Sequence, residues 1–177
     1  HRRLGLRDLR RREPAVLDAL SSESSKALRL VGHKGADLIA PGNTVESFHA
    51  AVEAGVDTIE LDVLWLADAH LPLEQRHPLL IAHDWEDAAR RTPLKLTEAL
   101  DAFLEPPLDG VEIDIDIKLP GREEEIVDAL RERDLLERAM VSTMELYSLG
   151  RIRELEPRLH RGWTYPKVTR DWTSKRW

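Results

Sequence analysis

Residues 110–121 read GVEIDIDIKLPG. Val111, Ile113, Ile115 and Ile117 alternate with Glu112, Asp114, Asp116 and Lys118. β-Branched residues at period two predict a strand. Successive side chains of a strand point to opposite faces, so one face is aliphatic and the other carries three carboxylates and an ammonium. A second stretch, TIELDVLW at 58–65, does the same: Ile59, Leu61 and Val63 share one face, Thr58, Glu60 and Asp62 the other.

Working outward, the pattern alternates. LRLVGH (28–33), PLLIAHD (78–84), AMVST (139–143) and HRGWTY (160–165) read as further strands. NTVESFHAAVEAG (43–55), LTEALDAFL (96–104), REEEIVDALRERDLL (122–136) and MELYSLGRIREL (144–155) read as helices. Asn43 with Glu46, and Ser142 with Glu145, stand at capping-box spacing. Strands alternating with helices predict βα units and a parallel sheet. Parallel strands are usually apolar on both faces. Two strands with one polar face therefore point to a closed βα barrel, with aliphatics packed outward on helices and the acids pointing inward. Active sites of such barrels lie at the C-terminal ends of the strands. The expected fold is α/β, a TIM (βα)8-type barrel incomplete at its C-terminus, with about six strands and a longer loop at 66–78. Either a second copy or a missing C-terminal segment would supply the remaining wall.

Bulk properties narrow the function. The 177 residues suffice for one domain with a core, and 42% hydrophobic against 33% charged residues fit a globular chain. The net charge of -7 argues against a nucleic-acid binder, which needs a basic footprint. With no cysteine, disulfides and thiolate chemistry are excluded. No apolar run approaches the ~20 residues of a membrane span. No signal peptide is visible, from which a cytoplasmic location is expected. Residues 1–26, basic and then Ser-rich, read as an N-terminal extension and linker ahead of a barrel domain at 27–177. The end, PKVTRDWTSKRW, is basic and carries Trp172 and Trp177.

The chemistry follows from the strand ends. Converging Glu60, Asp62 and Asp116 repel one another by ~4 kcal/mol per pair at 4 Å and an effective dielectric near 20. A cation relieves that, and hard oxygen ligands without cysteine favour Mg²⁺ or Ca²⁺. His33 and His83 stand at matching places, each at the end of a predicted strand, and imidazole suits proton transfer near neutrality. His1, His49, His70, His77 and His160 fall in tails, loops or on a helix and read as surface residues.

The run GHKGADLIAPGNTVESFHAAVEAGVDTIELDV (32–63), then LLIAHD, then DIDIKLPG, resembles the glycerophosphodiester phosphodiesterase family over residues 30 to about 164. The resemblance implies that His33 and His83 are the acid–base pair and that Glu60, Asp62 and Asp116 are metal ligands. Lys118 and Lys34 would face the phosphate. Asp84 would be a local hydrogen-bonding residue, and Asn43 and Thr44 would shape the loop and cap the first helix. Two departures stand out. Lys34 replaces the arginine of His-Arg-Gly and loses its bidentate fork. Gly42 replaces the glutamate of Pro-Glu-Asn-Thr, leaving three carboxylates. The implied activity is hydrolysis of glycerophosphodiesters to glycerol 3-phosphate and an alcohol. The three-carboxylate arrangement also resembles sphingomyelinase D, which implies a lysophospholipid substrate as an alternative. A rival from another class is a non-catalytic barrel acting as a binding module.

Overall fold

The computed structural model describes residues 28–165. The extension expected at 1–26 and the Trp172–Trp177 tail lie outside the described residues.

Among the described residues six strands form one sheet: β1 (Val31–Gly32), β2 (Thr58–Leu64), β3 (Leu80–Ile81), β4 (Glu112–Ile117), β5 (Ala139–Thr143) and β6 (His160–Trp163). Neighbours run β1-β2-β4-β5-β6 and are parallel throughout. The helices between them are α1 (Val45–Glu53), α2 (Trp85–Arg90), α3 (Leu96–Ala102), α4 (Glu123–Arg131) and α5 (Leu146–Leu155).

The aliphatic rungs meet as their spacing requires. Ile59, Leu61 and Val63 of β2 pair with Ile113, Ile115 and Ile117 of β4, and all six are buried. Phe48 and Ala51 of α1, Ala99 and Leu100 of α3, Ile126, Val127 and Leu130 of α4, and Ile152 of α5 join them in one core. The Phe48 and Phe103 rings lie 5.5 Å apart between centroids. The other face of the sheet is polar. Its rungs run Glu60, Asp114, Met140 and His160, and above them Asp62, Asp116, Ser142 and Gly162. This is the inside-out wall that the alternation predicts, with helices on the aliphatic side.

Four local expectations are corrected. β3 is antiparallel to β2, pairing Val63 with Ile81 and Leu64 with Leu80. The strand expected at 28–33 is paired only at Val31–Gly32. Thr44, not Asn43, caps α1, with Ser47 rather than Glu46 closing the capping box. Asn43 instead adopts a left-handed φ of 60°, which turns its side chain inward. Ser142 lies within β5, and α5 starts after Glu145 without a side-chain cap. The short helix α2, which no apolar period announces, is capped by the Asp84 carboxylate accepting from the Asp87 amide.

The 66–78 segment holds one 3₁₀ turn (Leu73–Gln75) and is tied to α4 by ions. Buried Arg122 donates to Asp68, to the His77 carbonyl and to Glu125. Arg76 donates to Glu125 and to the Ala69 and Leu71 carbonyls.

Candidate active site

The central strands β2 and β4 supply the acids. In parallel register Asp62 stands beside Asp116, and Glu60 lies one rung below Asp62. One oxygen from each of Glu60, Asp62 and Asp116 lies within 4.8 Å of the others. Asp62 is fully buried and is gripped from two sides. Asn43 Nδ2 donates to its Oδ2 at 2.8 Å, and the Asp62 amide donates to Asn43 Oδ1 at 3.1 Å. Lys118 reaches both Asp62 and Asp116 with its ammonium. Glu60 accepts from the Lys34 amide at 2.8 Å, and the Lys34 ammonium stands 3.9 Å from Asp62.

Crowding and burial set the protonation of this cluster. Burial and the neighbouring Asp62 charge push the Glu60 carboxyl up to about 8. Burial also raises Asp116, against the pull of Lys118. For Asp62 burial works the other way from its partners, and hydrogen bonds from Lys118 and Asn43 hold it below the usual carboxylate range. Asp114, one rung lower, is pushed up to about 6 by burial. The ammonium of Lys118 is partly desolvated, yet contact with Asp116 and Asp62 keeps its proton bound more tightly than usual.

The residues fit a hard divalent cation. Three carboxylates at one point offer only oxygen donors, and Glu60 carries an elevated proton affinity that a cation would relieve. Glycine at position 42 brings no further carboxylate. A Cβ there would stand 3.0 Å from the Lys34 and Asp37 β-carbons, so the Lys34 stem lies against the place where a side chain would begin.

Both predicted histidines reach the same mouth. His33 and His83 line a cavity with Asp116, Ile117, Lys118, Thr143, Met144 and Tyr165. They arrive by different routes, which corrects the expectation of equivalent positions: His33 follows parallel β1, whereas His83 follows antiparallel β3. The turn carrying His33 needs its glycine. Gly35 has φ 81°, and a Cβ there would meet Ser47 at 2.6 Å. Each imidazole has a carboxylate at Nδ1, Asp37 at 3.4 Å from His33 and Asp84 at 2.9 Å from His83. For His83 the contact is a hydrogen bond, which favours the proton on Nδ1 and leaves Nε2 for chemistry. The Asp84 carboxyl is held down to about 2 by the Asp87 amide and by His83.

All seven predicted site residues thus surround one region. Sequence reasoning missed Asp37 and the inward role of Asn43. The four-residue step from His33 to Asp37 was a usable signal for the first. Among the remaining histidines, His77 is exposed and pairs with Asp68, and His160 begins β6 rather than lying in a loop. No described helix is long and apolar enough to cross a membrane.

The model of the glycerophosphoryl diester phosphodiesterase family matches residues 33–73. A glycerophosphodiester phosphodiesterase from Caldanaerobacter subterraneus subsp. tengcongensis is 28% identical over 160 residues, covering 77% of this chain and 66% of that protein. Among solved structures, a glycerophosphodiester phosphodiesterase from Parabacteroides distasonis superposes with a TM-score of 0.61 at 16% identity, over 76% of this chain and 64% of that one. A phosphodiesterase from Oleispira antarctica, solved with the product sn-glycerol-3-phosphate, gives 0.59 at 21% identity, over 80% and 68%. The likeness gives the fold as a βα barrel, of which the described residues form six strands. The chain spans somewhat less than two thirds of the length of the first relatives it matches.

Proposed function

We propose that the chain is a member of the glycerophosphodiester phosphodiesterase family, on its match to that family's model over residues 33–73 and its likeness to a relative at 28% identity, and that it is a metal-dependent phosphoric diester hydrolase. Its substrates are small glycerophosphodiesters, and its products are glycerol 3-phosphate and an alcohol. One observation carries the reading: two imidazoles, an ammonium and a carboxylate of the three-acid cluster line the same cavity.

Glu60, Asp62 and Asp116 would hold a divalent cation, Mg²⁺ or Ca²⁺ by the hardness of their oxygen donors. When bound, it supplies Lewis-acid polarisation of a non-bridging phosphate oxygen. Lys118, poised between Asp62 and Asp116, and Lys34 beside Asp62 offset the remaining phosphate charge. One histidine Nε2 takes the proton of the attacking water, and the other protonates the departing alkoxide. Asp84, hydrogen-bonded to His83, holds that ring in the tautomer this requires, and the Asp37 carboxylate stands 3.4 Å from His33 Nδ1.

The test is hydrolysis of glycerophosphocholine with added Mg²⁺ or Ca²⁺, followed by release of glycerol 3-phosphate. Turnover that disappears with chelator and returns with metal supports the reading. A metal-replete chain that turns over no glycerophosphodiester overturns it.

A further inference from the structure

We propose that the site selects a diester whose alcohol is a quaternary ammonium, held by the Glu145 carboxylate and the Tyr165 ring where both line the strand-end cavity. This rests on the function proposed above and specifies the head group.

His83 lines two cavities of different character. In the first, every lining residue except Gly42 is polar or charged, with Lys34, Asp37, Asn43 and Arg90 among them. Such a lining suits the hydroxyls of a glycerol arm, which both donate and accept. The second, of about 280 Å³, sets Met144, Glu145 and Tyr165 beside His33, Asp116 and Lys118. It is the one that combines a carboxylate outside the three-acid cluster with an aromatic ring.

The charges of this second cavity are unevenly matched. Lys118 is in contact with Asp62 and Asp116. Glu145 precedes α5 yet makes no capping hydrogen bond with its side chain, and among the described residues its carboxylate enters no ion pair. The aromatic surface is tied to the same segment. Tyr165 packs edge-to-face with Trp163, with ring centroids 5.0 Å apart and planes at 79°, and Trp163 Nε1 donates to the carbonyl of Met144, the neighbour of Glu145, at 3.4 Å. Both rings stay exposed, Trp163 at 51% and Tyr165 at 64%.

The head-group chemistry follows from that pairing. A quaternary ammonium has no N–H to donate, so it is recognised by ring faces and by a carboxylate without a cation of its own. A neutral polyol gains little from either.

The experiment compares kcat/KM of the 177-residue chain, with Mg²⁺ or Ca²⁺, on glycerophosphocholine and on glycerophosphoglycerol, whose second arm is neutral. The choline ester is expected to be preferred by about tenfold, the scale of one cation–π contact and one partly exposed ion pair together. Glu145→Gln and Tyr165→Leu are each expected to lose most of that ratio, chiefly through KM, whereas Tyr165→Phe, which keeps the ring, retains it. Independently of any variant, free choline is expected to inhibit competitively at concentrations where its neutral isostere 3,3-dimethylbutanol does not. Equal use of both esters, a preference for glycerophosphoglycerol, a ratio that survives either Glu145→Gln or Tyr165→Leu, or equal inhibition by choline and its isostere overturns the inference while the phosphodiesterase reading stands. Turnover of neither ester overturns the phosphodiesterase reading itself.

Discussion

At the residue scale the site is a problem in charge. Glu60, Asp62 and Asp116 share one point, and Lys118 is in contact with the last two. Glu60 takes up its proton near 8 in the fold, well above its ordinary value, because burial and Asp62 oppose its charge. A folded value above the unfolded one means that the native state binds the extra proton. Its contribution to stability is complete below the unfolded value and is lost as pH rises through about 8. The metal-free protein is therefore expected to melt at progressively lower temperature as pH rises from about 5 to about 8. The Glu60→Gln variant should flatten that dependence, and thermal melts across the range check it. His33 and His83 have side chains 65% and 47% exposed, so neither holds the core together. Replacing either with alanine is expected to lower turnover by ~10² to 10⁴ while leaving the melting temperature nearly unchanged. Steady-state kinetics beside a melt would show it, and near wild-type turnover in either variant would count against the acid–base assignment. Asn43 differs: it is buried and exchanges two hydrogen bonds with Asp62. Asn43→Ala should cost about 1–3 kcal/mol, because it strands a buried carboxylate and amide.

At the element scale, the interest lies in segments without a strong period. The loop at 66–78 is fixed by Arg122, which is nearly inaccessible and shared among Asp68, Glu125 and the His77 carbonyl. Removing one partner of a buried ionic network leaves the others uncompensated. Arg122→Ala is expected to destabilise the chain by about 3–5 kcal/mol, read from urea unfolding. An Arg122→Met variant that retains wild-type stability would show that packing rather than charge anchors the loop. Helix α1 depends on its cap, since Thr44 and Ser47 satisfy each other's backbone groups. These elements also mark where the sequence was hard to read. Asn43 and Thr44 are both competent caps by composition. The choice between them was made by Asp62, nineteen residues away, which draws the Asn43 side chain inward. The two-residue β3 was legible as apolar, but its direction was not. Direction is set by which neighbour a strand finds, and β3 found the end of β2 rather than an independent place in the parallel order.

At the scale of the whole molecule, the core and the site are the two faces of one sheet. Ile115 lies at the centre, between Leu61 and Val141, and is fully buried. A cut to alanine there should cost about 2–5 kcal/mol. The opposite face at the neighbouring position is Asp116, so the same strand serves packing and chemistry at alternate residues. A ligand that binds only the native state stabilises it by mass action, about 2.7 kcal/mol at a hundredfold excess over Kd. Mg²⁺ or Ca²⁺ is accordingly expected to raise the melting temperature, with chelator reversing the rise. A melting temperature indifferent to both ions would argue that the acid cluster is satisfied by Lys118 alone.

Period-two alternation by itself determined the two-faced strands, the buried aliphatic rungs and the acids that share a side. Those follow from local geometry, because side chains in a strand must alternate whatever surrounds them. The motif order further carried the family resemblance and both histidines. Only the tertiary structure decided how those pieces meet: the antiparallel turn that brings His83 to the mouth, the inward Asn43 and the carboxylates beside each imidazole. Each depends on contacts between residues far apart in the chain, where register and direction are chosen by packing and charge rather than by any local pattern.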